Sequence, residues 1–154
     1  MAFSPRRDLL AVGSVARVIQ LWNVANPARP MPDGTWHVSG TNVVSSVQFR
    51  PDGKLLVSGN DNGVVGEWHV ADPAHPQQDG EPLTGHTSFV NAVAFSPDDQ
   101  TLATGGNDET IRLWNMNVSA AIAHVCSQSS DDITASQWTA YISQPRYQPP
   151  CAGS

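Results

Sequence analysis

The sequence predicts an all-β fold, built from a unit of short antiparallel strands that occurs three times. Three observations predict it. First, Trp22, Trp68 and Trp114 stand 46 residues apart, and Phe3, Phe49 and Phe95, Pro5, Pro51 and Pro97, and Gly13, Gly59 and Gly105 keep the same offset without a gap. Second, each period alternates short β-compatible runs with Pro, Gly, Asn and Asp turns, the pattern of strands joined by tight connections. Third, charged residues make up 14% of the chain against 40% apolar, with 12 Gly and 12 Pro, which marks a folded, turn-rich chain and not a disordered one. Even the loops repeat: VANPARPMPDG at 24–34 lies over VADPAHPQQDG at 70–80.

The elements follow in chain order. The opening MAFSPRRDLLAVG aligns with VQFRPDGKLLVSG and VAFSPDDQTLATG. Met1 therefore falls where the second copy has Val47, near the end of a strand. The expectation is that the earlier part of that strand lies outside this chain. In the second copy, VVSSVQF, KLLVSG and VVGEWH read as strands, separated by the turns RPDG and NDN. In the third, FVNAVAF (89–95), TLATG (101–105) and TIRLWN (110–115) are the strands, and SPDD (96–99) and GND (106–108) the turns. Pro97 presets φ in the first of those turns, and Asp side chains bond back to the local backbone. In TIRLWN, Ile111 and Leu113 alternate with Arg112 and Trp114, which assigns them to opposite faces. A fourth short strand fits between periods, near TWHV (35–38) and EPLT (81–84). The Pro-rich stretches 25–34 and 71–80 before it read as surface loops.

A four-stranded sheet of this kind cannot bury both faces alone. Stacking such sheets radially buries them, which is a partial β-propeller of about three four-stranded antiparallel blades, the first incomplete. A linear β-solenoid is the weaker reading, because its repeats are usually shorter. The predicted organisation is propeller blades over 1–116, divided into an incomplete blade at 1–34, a second repeat at 35–80 and a third at 81–116. A helical and extended tail follows over 117–154.

At these residues the chain resembles the WD-repeat β-propellers, over residues 2–116. Such repeats carry Gly-His near the start and Trp-Asp near the end. Gly85-His86 supplies the first pair, and Trp22-Asn23, Trp68-His69 and Trp114-Asn115 are degenerate forms of the second. The resemblance implies a buried structural tetrad of His, Ser/Thr, Asp and Trp, which falls on His86, Thr104, Asp108 and Trp114. In the expected network the turn Asp accepts from backbone N–H groups and from the imidazole, the imidazole donates onward to the Thr hydroxyl, and that hydroxyl meets the indole N–H. The second repeat departs from the pattern with Gly40, Ser58, Asn62 and Trp68. The first has Val12, Ala16 and Trp22, so the third blade is expected to be the best ordered.

After Trp114 the period stops. NVSAAIAHVC (117–126) reads as a short helix capped by Asn117 or Ser119. TASQWTAYI (134–142) reads as a second, with Thr134 and Gln137 at capping-box spacing. QPRYQPPC then runs extended. The tail resembles the ending of bacterial WD-repeat signalling proteins through Ala121, Ile122, Ala123, Cys126, Gln137-Trp138, Tyr141, Tyr147 and Pro149-Pro150-Cys151. That resemblance implies an upstream signal-transduction ATPase or protein kinase module.

The remaining chemistry is thin. Net charge is −6, which gives no electrostatic footprint for nucleic acid or an anionic membrane. No apolar run is long enough for a membrane helix, and the chain does not open on a signal-peptide pattern. The expected location is cytoplasmic, where Cys126 and Cys151 would remain thiols. His86 with Asp108 has the make-up of a general-base pair, but both fall where the fold needs them. His69 and His75 flank a Pro-rich loop with no third ligand at zinc spacing, so neither a metal nor a cofactor is expected. The three repeat tryptophans are packing residues, while Trp36 and Trp138 are candidate partner anchors. The expected function is a non-catalytic protein-interaction scaffold or sensor that binds protein or peptide partners through its blade loops. A propeller hydrolase or lyase is the alternative. Three blades also leave two apolar faces open. They are expected to be covered by further blades of a longer protein, of which this chain would be a fragment; the alternatives are self-association or a poorly stable fragment.

Overall fold

The computed structural model describes residues 1–38 and 43–117, and Met1–Trp114 form one compact unit. Beyond Asn117, the helix expected at 117–126 lies outside the described residues, as do the one expected at 134–142, His124, Cys126, Trp138, Cys151 and Gly40. The described residues contain no helix. Their strands form three antiparallel sheets, the architecture of a partial β-propeller.

The first sheet is β1 (Ala2–Phe3), β2 (Leu9–Gly13), β3 (Val18–Asn23) and β4 (Met31–His37), paired in that order. The second is β5 (Val44–Phe49), β6 (Leu55–Asn60) and β7 (Val64–His69), with β8 (Gln77–Gln78) and β9 (Leu83–Thr84) both on the outer edge of β7. The third is β10 (Val90–Phe95), β11 (Thr101–Gly106) and β12 (Ile111–Asn115).

The fourth strand shows how local chemistry shapes equivalent segments. In the first sheet it is continuous, and it starts at Met31, inside the stretch read as a loop. In the second it is broken into two short pieces. Between the pieces lie Gly80, at φ 70°, and Pro82, which has no N–H for the ladder. The sheets are also offset from the sequence periods. Residues 35–37 pair with β3 of the first sheet, and Leu83–Thr84 pair with β7 of the second.

Cross-strand register sorts the side chains into faces. In the first sheet Ala11 pairs with Leu21 and Gly13 with Ile19, so Leu9, Ala11, Ile19 and Leu21 share one face. In the second sheet Phe49 pairs with Leu56 and Leu56 with Trp68, which places these three on the opposite kind of face. The two faces meet in a single apolar cluster to which Val44, Val47 and Val70 also belong. Trp36 packs against it, its ring centroid 5.8 Å from that of Trp68 and tilted by 54°. Between the second and third sheets, Val57 and Val65 on one side and Val90 and Leu102 on the other are fully buried.

Candidate functional site

The strongest polar constellation lies at the end of the third sheet. The tight turn between β11 and β12 carries Asp108 back over the segment that leads into β10, where His86 sits. His86 Nδ1 is 2.9 Å from Asp108 Oδ2 and 3.0 Å from Oδ1. Its Nε2 is 2.7 Å from Thr104 Oγ1, and Trp114 Nε1–H donates to that same oxygen at 2.9 Å. Asp108 further accepts from the Thr87 N–H at 3.0 Å, the Thr110 N–H at 3.1 Å and the Thr110 hydroxyl at 2.8 Å. The four residues singled out in the sequence are thus brought together, and Thr110 joins them.

Proton counting sets the direction of the chain. A neutral imidazole that donates from Nδ1 to the carboxylate must accept at Nε2. In that state the Thr104 hydroxyl donates to His86, whereas an imidazolium donates at Nε2, the direction expected from sequence. With the imidazole neutral, indole, hydroxyl and imidazole all point their protons toward Asp108. Burial disfavours charge on Asp108, but the donors from Thr87, His86 and Thr110 outweigh it and hold the carboxyl well below its usual range. The His86 side chain is 0% exposed and that of Asp108 7%. Both imidazole nitrogens are engaged, so this pair is closed to a substrate.

The second repeat keeps half of this network. Trp68 Nε1–H donates to the Ser58 hydroxyl at 2.8 Å, and both residues are buried. Its turn is closed differently: Asn60 Oδ1 accepts the N–H groups of Asn62 and Val64, each at 2.9 Å. Asn60 is buried at 4% exposure, while Asn62, the position equivalent to Asp108, is exposed. Asn60 escaped the sequence reading because the third repeat has Gly106 at its place. In the first repeat Val12 offers no hydroxyl to Trp22.

Other candidates are dispersed. His75 Nδ1 lies 2.9 Å from Asp72 Oδ2, with both side chains exposed, and that hydrogen bond lowers the Asp72 carboxyl. His69 is exposed, and the described residues include no group of three metal-ligating side chains. Glu67 is half-buried at the place of Leu21. Its carboxyl is pushed up by burial and then by Asp79, against the attraction of Arg50.

Basic side chains tie neighbouring sheets at their turns. Arg7, in the β1–β2 turn, donates to the carbonyls of Gly53 at 2.8 Å, Val70 at 2.6 Å and Ala71 at 3.1 Å. Arg50, at the start of the β5–β6 turn, stands 3.9 Å from Asp99 in the turn of the third sheet. The repeat pattern carries no trace of these ties, because positions 7, 53 and 99 hold Arg, Gly and Asp.

Residues 32–69 and 78–115 match the family model of the WD domain, G-beta repeat. Both segments are similar to WD repeats. Each matched repeat starts in or beside the outer strands of one sheet and ends in the third strand of the next, so every WD repeat fastens two sheets together covalently. No curated protein matches the chain. WD repeats in general mediate contacts between proteins.

Proposed function

We propose that the chain is a non-catalytic interaction scaffold or sensor module of the cytoplasm, which offers its strand-connecting loops to protein or peptide partners. The observation that carries this reading is the closure of the His86–Asp108 pair. The residues best suited to acid–base chemistry are consumed by Thr104, Thr110 and Trp114 in holding the third sheet. What remains accessible is a set of loops on a rigid β framework, an arrangement suited to recognition. The tail at 117–154, with its likeness to the endings of bacterial WD-repeat signalling proteins, supports a place beside an ATPase or kinase module. The open faces of the outer sheets support a second class of contact, with further sheets of the same kind.

The test is selection of peptides on the immobilised chain, followed by titration of the winners against loop variants. Saturable binding that weakens when exposed loop residues such as Asn62 or Asn107 are changed supports the reading. Turnover of ester, peptide or glycoside substrates that is abolished by a loop substitution, with no peptide selected, overturns it.

A further inference from the structure

The two outer faces of this three-sheet unit are unequal, and each is the counterpart of the other. On the third sheet, Ile111 and Leu113 are 79% and 72% exposed. Their equivalents in the first sheet, Ile19 and Leu21, are 0% exposed, because the second sheet covers them. On the outer face of the first sheet, Met1 and Phe3 are 82% and 69% exposed. Their equivalents in the second sheet, Val47 and Phe49, are buried at 5% and 1%, because the first sheet covers them.

The match extends across eight positions of the contact. The buried interface between the first two sheets sets Leu9, Ala11, Ile19 and Leu21 against Val47, Phe49, Leu56 and Trp68. By the 46-residue offset, the open face of the third sheet presents Thr101, Ala103, Ile111 and Leu113, and the open face of the first presents Met1, Phe3, Leu10 and Trp22. Six of these eight positions carry the same residue as the buried interface; only Thr101 for Leu9 and Met1 for Val47 differ. Apolar faces that reproduce a packed interface so closely are complementary in volume as well as in hydrophobicity.

We propose that two copies of this chain associate head to tail, with the third sheet of each on the first sheet of the other. The contact is heterologous, and two such contacts close a ring. Three sheets from each copy give six, within the range of four to eight blades at which propellers close. The inference deepens the second class of contact proposed above and commits it to a second copy of this chain.

The experiment is light scattering and sedimentation velocity on the full chain over a concentration series. The expected species has twice the 16.5 kDa chain mass. Leu113→Asp and Phe3→Asp, one on each face, should each give a monomer; Ile111→Asp repeats the first test in case one variant misfolds. All three positions are exposed in the single chain, so far-UV circular dichroism should not change. Mixing Leu113→Asp with Phe3→Asp should restore a weaker dimer, because one undamaged contact forms between the two variants. A wild-type monomer throughout the series, whether its faces are bare or covered by another segment of the chain, overturns the proposal. So does a dimer that survives both substitutions, or one lost to only one of them. Peptide capture measured on the Leu113→Asp variant keeps the two readings apart: binding without dimerisation defeats this inference alone, and dimerisation without binding defeats the loop reading alone.

Discussion

The second and third sheets share a period, a turn plan and a tryptophan, yet they are held by different physics. In the second sheet all six residues of β6 are buried, and both faces are packed. Its polar inventory has shrunk to the Ser58–Trp68 bond and the Asn60 turn. Among the described residues the third sheet has one face packed and one exposed, and it has the whole hydrogen-bonded series from Trp114 to Asp108. Apolar burial is non-directional and needs neighbours on both sides. A satisfied polar network fixes register from within. The sheet with two neighbours has half of the network and the third sheet, with one, has all of it; the first sheet also has one neighbour but carries Val12 and Ala16 at these positions, so neighbour number alone does not set the network.

The largest expected effect tests the apolar half of that contrast. Phe49 is 1% exposed between the first and second sheets, while Phe95, its equivalent in the third, is half-buried. Phe49→Ala should cost about 3–5 kcal/mol, the usual range for a buried Phe in a packed core. Phe95→Ala should cost distinctly less. Equal shifts in denaturation midpoint for the two would break the comparison.

The next effect tests how closely the second sheet is packed against its neighbour. Gly63 sits in the β6–β7 turn at φ 76°, and a Cβ there would stand 2.3 Å from the carbonyl oxygen of His86. Gly63→Ala must therefore pay for both a left-handed backbone and a clash with main chain. A loss of about 2 kcal/mol or more is expected. The same substitution at Gly80, at φ 70° with open space around it, carries only the backbone part. Matching losses at the two glycines would show that the approach to His86 is not tight.

These contrasts also mark what could be read in advance. The 46-residue period fixed the strands, the turns and the His86–Asp108 constellation, because those depend on residue type at a spacing. The Asn60 turn was not legible: it replaces a side chain at one position with a different side chain two residues earlier, and spacing carries no trace of that. The Arg7 tie was hidden for a related reason, since a guanidinium reaching carbonyls of the next sheet needs no particular residue opposite it. The break between β8 and β9 was readable in principle from Pro82 and Gly80, but the likeness of the two loops masked it.

The polar half of the contrast is tested by Asp108→Ala against Asn62→Ala. The first removes the acceptor on which His86, Thr87 and Thr110 converge. The second leaves the Asn60 acceptor in place, so it should lower the melting temperature less. Acid titration sharpens the point. Asp108 has a depressed carboxyl pKa, so its stabilisation is complete above the unfolded carboxylate value of about 3.9 and is lost as pH falls toward the lower folded value. Melting temperatures of wild type and Asp108→Asn should differ at pH 7 and converge as pH drops below about 4. A gap that stays constant through that window would mean the network does not depend on the carboxylate.

The smallest effect is a gain. Arg17, Gly63 and Glu109 occupy one turn position in the three repeats, and all three are left-handed, at φ 61°, 76° and 62°. Only the second repeat has glycine there. Glu109 pays the steric cost of its Cβ, roughly 1–2 kcal/mol for an L-residue in this region. Glycine would remove that cost but would lose more chain entropy on folding, an offset of roughly 0.5–1 kcal/mol. The balance predicts that Glu109→Gly stabilises by about 0.5–1 kcal/mol, read as a rise in melting temperature. Because the turn precedes β12 and carries no part of its apolar face, the gain should be the same in monomeric Leu113→Asp as in wild type. A loss at this position would mean that the Glu109 side chain contributes to the third-sheet turn more than its backbone strain costs, and that the third repeat has its own reason to differ from the second.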